Sequence, residues 1–322
     1  MNINLAVNNI REEATMRDTY TSLLVKMAKT DKRVVILDAD LMHSIRTFPF
    51  MDAYPDRTFN CGIQEANMVG VAAGLSATGK IPYAHSFGIF ATRRCYDQIF
   101  ISAAYAKLNV RIVGSDPGIS AAYNGGTHMP FEDMGIMRNI PEATLIEPTD
   151  LVMLEDILRQ TNEMYGVFYI RLFRLNPVKV FDKGSSFEIG RAVQLKDGKD
   201  LTLICSGILV AEALKAAVKL EKEGISARVV NMFTWKPVDR DIIKKSAMET
   251  GAIVTIENHN IINGLGSAVA EVLAEEYPVP MERIGSKDLF GEVGPEDYLM
   301  KRYEMTADDI VAKAKKVLER KK

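Results

Sequence analysis

Cysteine is scarce: Cys61, Cys95 and Cys205 are the only three in 322 residues, an odd number at wide, unpatterned spacing. That arrangement fits neither a disulfide framework nor a zinc site. No apolar run approaches the roughly 18 residues a membrane helix needs, and no apolar core follows a basic start at the N-terminus. The expectation is a cytoplasmic, reducing location. Excess charge is missing too, since 40 Lys and Arg stand against 42 Asp and Glu for a net −2. Bulk attraction to nucleic acid or to an anionic membrane is thereby excluded, and the basic end at 313–322 reads as the solvated end of a terminal helix. A Gly-x-Gly-x-x-Gly turn after a first strand and a Walker-type Gly-Lys-Ser loop are both absent, so nucleotide binding of those kinds is not indicated. There is no short-period repeat and no low-complexity segment.

The composition is 47% hydrophobic and 25% charged over 322 residues, the balance of a soluble globular chain long enough for two domains. Apolar residues at helical spacing predict a helix over 11–29, and the run 33–38 predicts a buried strand ending in the acids of Asp38-Ala39-Asp40. Further strands are expected at 58–60, 81–84, 110–114, 143–146 and 167–170, with helices at 65–78, 90–107, 132–138 and 151–163. This β-then-α alternation predicts a parallel sheet with helices on both faces. Asn176-Pro177 and the polar turn 182–186 break both periods and read as the linker, dividing the chain into domains at 1–180 and 187–322. Strands at 201–205, 227–231 and 252–257, with helices at 210–223, 239–249, 264–276 and 307–320, predict a second, smaller doubly wound α/β domain.

The chain is organised around residues 61–90, CGIQEANMVGVAAGLSATGKIPYAHSFGIF. Glu65 stands at the head of a helix of small, tightly packing residues. A carboxylate in a first turn suits the macrodipole whatever else it does, so Glu65 gains a functional reading only through its company.

That company is carried by 62–70, by 86–98 with Phe87 and Phe90, and by 125–133, GGTHMPFED. Together these stretches resemble the pyrimidine-binding domain of transketolase, and the second half resembles that family's C-terminal domain. The resemblance covers essentially the whole chain. It implies that Glu65 hydrogen-bonds the aminopyrimidine of thiamine diphosphate and activates it, a role for which a carboxyl shielded from water is suited. It implies that Phe87 and Phe90 stack on that ring, and that Asp40 and Leu41 form the cofactor-proximal turn. His128 would meet the donor's carbonyl or hydroxyl end. Ser44 with Arg17 and Arg174 would hold a substrate phosphate, for which guanidinium forks suit bidentate contact. Taken singly, each arginine reads as a solvated surface charge or a local salt bridge, and Arg93 and Arg94 are read as structural or interface charges.

Two positions depart from the family pattern. Asp116 stands where many transketolases have a phosphate-binding histidine, and Asn124 stands where they have an aspartate that contacts a donor hydroxyl. An acid facing a substrate dianion repels it; either Asp116 points elsewhere, or the substrate's end group is held differently. The family's Gly-Asp-Gly metal motif does not occur. The resemblance therefore implies a separate N-terminal-half subunit supplying Mg²⁺ ligands and diphosphate contacts in an α2β2 assembly, with self-association through both domains. In Ile256-Glu257-Asn258-His259 and Asn263 to Ala268, Ser267 or Asn263 can cap the following helix, and the stretch reads as scaffold and dimer contact. The expected activity is transfer of a two-carbon ketol unit between sugars. A 2-oxo-acid dehydrogenase β subunit, a deoxyxylulose-phosphate synthase fragment and a non-catalytic binding subunit of the same fold remain as alternatives.

Overall fold

The computed structural model describes residues 1–321. In the first half, strands β1 (Val34–Asp38), β2 (Thr58–Asn60), β3 (Ile81–Phe87), β4 (Val110–Ser115), β5 (Thr144–Ile146) and β6 (Val167–Leu172) alternate with helices. The second half supplies β7 (Val193–Lys196), β8 (Leu201–Cys205), β9 (Ala227–Asn231), β10 (Thr234–Lys236), β11 (Ile253–Asn260) and β12 (Met281–Ser286). They form two α/β sheets, ordered β10-β5-β6-β4-β3-β1-β2 and β12-β11-β8-β9-β7. Every pairing is parallel except the edge pairs β10 with β5 and β7 with β9.

β1, β3, β4 and β6 are buried along their whole length, as strands covered on both faces must be. Their side chains alternate between two cores. Val34, Ile36, Tyr83, Val113 and Ile170 meet the helices Met16–Thr30 and Leu151–Glu163. Val35, Leu37, Ala84, Ile112 and Tyr169 join the core formed with the helix Glu65–Ala77 and residues 95–103.

Four sequence expectations change. The first helix begins at Met16, where the Thr15 side chain accepts from the Asp18 N–H. Residues before it form an arm that pairs with the expected linker at Leu5 and Phe181, and at Arg11 and Val178. That linker is not loose, because Val180 and Phe181 are buried and their N–H groups donate to the Asp150 carboxylate at 2.9 and 2.7 Å. The expected helix at 90–107 is broken into short helical pieces, Gly88–Thr92, a 3-10 turn Arg93–Cys95, Tyr96–Gln98 and a π-helical run Ile99–Tyr105. Finally, neither Ser267 nor Asn263 caps the helix Leu265–Glu276. The Glu257 carboxylate reaches over from β11 and accepts the Leu265 and Gly266 N–H groups at 2.6 and 2.9 Å, satisfying donors a helix start leaves open.

β11 also ties the second half to the first. Asn258 accepts from the Ile119 N–H at 3.0 Å and donates to the Pro117 carbonyl at 2.9 Å, while the Asn260 N–H donates to Phe131 at 2.8 Å. Gly118, at φ +50°, is required here, since a Cβ would lie 2.1 Å from the Asn258 oxygen. His259 is fully buried, accepts the Gly135 N–H at Nε2 (3.1 Å) and donates from Nδ1 to the Asn260 carbonyl (2.6 Å). These two bonds demand the neutral ring, and burial, then Arg171, pull its pKa down to about 4.

A folded-state pKa below the ordinary imidazole value means stability that is whole above about pH 6.5 and is lost as pH falls through 4. The shift corresponds to about 3 kcal/mol. Urea unfolding at pH 7 and at pH 4 should show the wild type losing more stability than His259→Asn; parallel losses would contradict this.

Candidate active site

Ligands of open α/β sheets bind beyond the carboxyl ends of the strands, and the candidate residues gather there, at the ends of β1, β3, β4 and β6. Glu65 is the first residue of the helix Glu65–Ala77 and only 1% exposed. One carboxylate oxygen accepts from the Ser86 hydroxyl on β3 at 2.9 Å, and the other pairs with Arg94 at 2.7 Å. The Arg94 guanidinium lies 3.8 Å from the centroid of the Phe90 ring, a cation–π contact. Arg94, read from the sequence as a structural or interface charge, thus bridges the site's acid and one of its rings. Arg93 pairs instead with Glu132 at 3.0 Å.

Phe87 closes β3 and is buried, and Phe90 follows one helical turn later, half-buried. Their centroids are 6.3 Å apart, and the His128 ring stands edge-on to both, at 5.6 and 5.2 Å. Edge-to-face packing of this kind holds rings at defined angles. The Thr127 hydroxyl lies 2.9 Å from His128 Nδ1, leaving Nε2 as the nitrogen outside that contact.

Asp40 and Leu41 sit in the turn after β1, where Asp40 has φ +64°. Two side chains hold that turn, Asp38 from the buried end of β1 and Asn60 from the exposed end of β2. Asp38 accepts the Leu41 N–H at 2.5 Å and contacts His85 Nε2 on β3 at 2.9 Å, with the Tyr20 hydroxyl 3.4 Å from the other ring nitrogen. Asn60 accepts from the N–H groups of both Asp40 (3.1 Å) and Gly62 (3.0 Å), joining this turn to the one that leads into Glu65.

Arg17, Asp116, Asn124 and Arg174 form a second group. Both departures from the family pattern fall in one arrangement, because the Asp116 carboxylate points into the two arginines and Asn124 joins it. Asp116 is fully buried, and one oxygen binds Arg17 while the other binds Arg174 at 2.9 Å. The Ser115 hydroxyl (3.1 Å) and the Asn124 amide (3.4 Å) also donate to it. Burial, then the nearby Arg174 and Arg46, push the Arg17 pKa down, and the negative charge of Asp18 opposes them. Ser44 lies on the short helix Met42–Ile45 and makes no hydrogen bond to this group. The two groups adjoin, because Phe87 and Ser115 are register partners on β3 and β4.

Beneath the His128 loop lies a buried ionic network that sequence reasoning missed. Arg171 on β6 donates to Asp133 (2.9 Å), Glu147 (2.7 Å) and the Asn258 carbonyl (3.2 Å), and the Tyr169 hydroxyl donates to Asp133 at 2.6 Å. Burial works to raise the Asp133 pKa, but Arg171 outweighs it and the net direction is down. Ser86 and His85 were missed as well, although both stand directly before Phe87 on a strand whose end faces the site. Among the described residues no group of three or more His, Cys, Asp or Glu is arranged to hold a metal ion, and no helix is long and apolar enough to cross a membrane.

Residues 12–178 match the family model "Transketolase, pyrimidine binding domain", and residues 190–310 match "Transketolase, C-terminal domain". The chain is 51% identical over 310 residues to the 6-deoxy-6-sulfo-D-fructose transketolase subunit SqwH of Clostridium sp. (strain MSTE9), covering 96% of each. It is 42% identical to a putative transketolase C-terminal section of Methanocaldococcus jannaschii, covering 95% of this chain and 96% of that one. A solved structure described as a split gene transketolase, inactive beta4 tetramer, superposes with a TM-score of 0.89 at 44% identity, covering 96% of this chain and 99% of that one. The chain belongs to the transketolase family, as a relative of its split C-terminal subunits.

Proposed function

We propose that this chain, with an N-terminal-half partner, transfers a two-carbon ketol unit from a ketose donor to an aldose acceptor. One observation carries the reading: a nearly fully buried carboxylate, Glu65, held by Ser86 beside the ring cluster of Phe87, Phe90 and His128. That set fits the aminopyrimidine half of thiamine diphosphate, which needs flat apolar walls and a water-shielded acid for its ring nitrogen. When bound, the cofactor supplies the nucleophilic carbon for carbon–carbon bond cleavage.

This chain's residues do the rest. Glu65 would hold a proton between its carboxyl and the ring nitrogen, and so would favour the basic form of the ring's amino group. Phe87 and Phe90 fix the ring's orientation and exclude water, and Arg94 must leave the face of Phe90 that it covers before a ring can stack there. Asp40 and Leu41 border the cofactor from a turn that Asp38 and Asn60 make rigid. His128 exchanges hydrogen bonds with the donor's oxygens through its ring nitrogen. Asn124 offers an amide, both donor and acceptor, where the family's carboxylate only accepts. Arg17 and Arg174, with Ser44 nearby in sequence to Arg46, receive the donor's anionic end.

Magnesium and the diphosphate contacts we assign to the partner, in an α2β2 assembly. The names of the relatives support this division, since they are called a subunit, a C-terminal section and a split-gene product. The relative named for 6-deoxy-6-sulfo-D-fructose supports a donor with an anionic terminus. The test mixes the chain with its N-terminal-half partner, thiamine diphosphate and Mg²⁺, and offers ketose and aldose against pyruvate. Ketol transfer by the mixture, with none by the chain alone, is expected. Decarboxylation of pyruvate without ketol transfer would overturn the reading in favour of a 2-oxo-acid dehydrogenase β subunit.

A further inference from the structure

We infer that Asp116 sets the charge of the donor's end group, so that the pocket of Arg17 and Arg174 selects a monoanion, such as a sulfonate, over a phosphate dianion. This rests on the proposed ketol transfer and goes beyond it, from an anionic end group to the number of charges that group carries.

The count of charges is the argument. Arg17 and Arg174 bring two positive charges, and Asp116, bound to both, removes one. Arg46, the other cation near Arg17, is already paired with Asp18 at 2.6 Å. One positive charge is left uncompensated. A monoanion balances it, whereas a dianion brings a second negative charge up to a carboxylate in a site where burial weakens screening.

Asp116 cannot easily withdraw. Its carboxylate accepts from four donors, the side chains of Arg17, Ser115, Arg174 and Asn124. Its backbone is fixed as well, with φ +62°, an N–H bonded to the Leu172 carbonyl at 3.0 Å, and Pro117 following.

Nor is the triad a closed salt bridge with nothing to spare. Arg17 is 95% buried, yet its Nε has no hydrogen-bond partner among the described residues. An unpartnered buried donor is costly unless something meets it. The Arg174 side chain is 36% exposed, so the group opens to solvent on one side. A purely structural ion pair would leave the choice between donors unaffected.

The test uses the chain reconstituted with its partner subunit, thiamine diphosphate and Mg²⁺, and compares kcat/KM for a ketose 6-phosphate and for the 6-sulfonate of the same sugar. At pH 8 the wild type should favour the sulfonate by about tenfold or more. A phosphate monoester loses its second proton near pH 6, whereas the sulfonate stays a monoanion, so lowering the pH to 5.5 should narrow the preference several-fold. Effects of pH on the enzyme or the cofactor act on both donors and divide out. Asp116→Asn, which frees the second positive charge, should abolish or reverse the preference at pH 8.

Equal use of both donors at pH 8, or a preference that does not change with pH, would overturn the inference while leaving ketol transfer intact. Should the variant not fold, the wild-type pH series decides alone. Failure to transfer from either donor overturns the proposed function instead.

Discussion

Replacing Glu65 by glutamine should lower kcat of the reconstituted complex by about 10²- to 10⁴-fold, the range that a positioned acid or base contributes. Glutamine has the same shape, and its amide oxygen can still accept from Ser86. What it lacks is an oxygen that can share a proton with a ring nitrogen. It also breaks the ion pair with Arg94, but that arginine is 43% exposed and the loss should hardly affect stability. Activity should therefore fall while the thermal unfolding midpoint stays close to that of the wild type. A variant within tenfold of wild-type kcat would remove Glu65 from the chemistry and return it to the ordinary role of a first-turn acid.

The largest effect on stability is expected at Arg171. Arg171→Leu leaves Asp133 and Glu147, both fully buried, without their shared counter-ion. Removing one partner from a buried ionic cluster costs about 3–5 kcal/mol, because the remaining charge stays uncompensated. Neutralising the two carboxylates as well, in Arg171→Leu with Asp133→Asn and Glu147→Gln, should recover part of the loss. Denaturant midpoints for the single and triple variants measure this. If the triple variant were no more stable than the single one, uncompensated charge would not be the cause. Activity should suffer with stability, because Asp133 follows directly on the loop that carries His128.

Much of the fold was legible in the sequence because the central strands are covered on both faces and read as short, largely apolar runs. β7, β10 and β12 were not. They are edge strands of three to six residues, and β10 pairs into the sheet of the other half, which no local period can announce. The helix expected over 90–107 had the right residues but not the right continuity, and the broken path brings Arg94 over Phe90.

In the candidate site, Glu65, Phe87, Phe90, His128, Arg17 and Arg174 stood out through the resemblance of several stretches taken together, and the structure places them in two adjoining groups beyond the carboxyl ends of the strands. Ser86, Arg94, His85 and Arg171 did not stand out. Each is an ordinary polar residue until a partner 21 to 47 positions away is known. Asp116 shows the limit most plainly. Its sign alone suggested repulsion of a substrate dianion; that the same carboxylate is also the counter-ion of the two arginines could be read only from its contacts.

β10 has a consequence for the chain as a whole. Thr234–Lys236 runs antiparallel along β5, and the Glu147 N–H donates to the Phe233 carbonyl at 2.8 Å beside it. Cutting the polypeptide between its two family regions would leave β5 with a bare edge, the kind of surface on which chains polymerise. Calorimetry on the intact chain should accordingly show one cooperative melting transition. The two halves look separable in sequence, yet heat should melt them as a single unit.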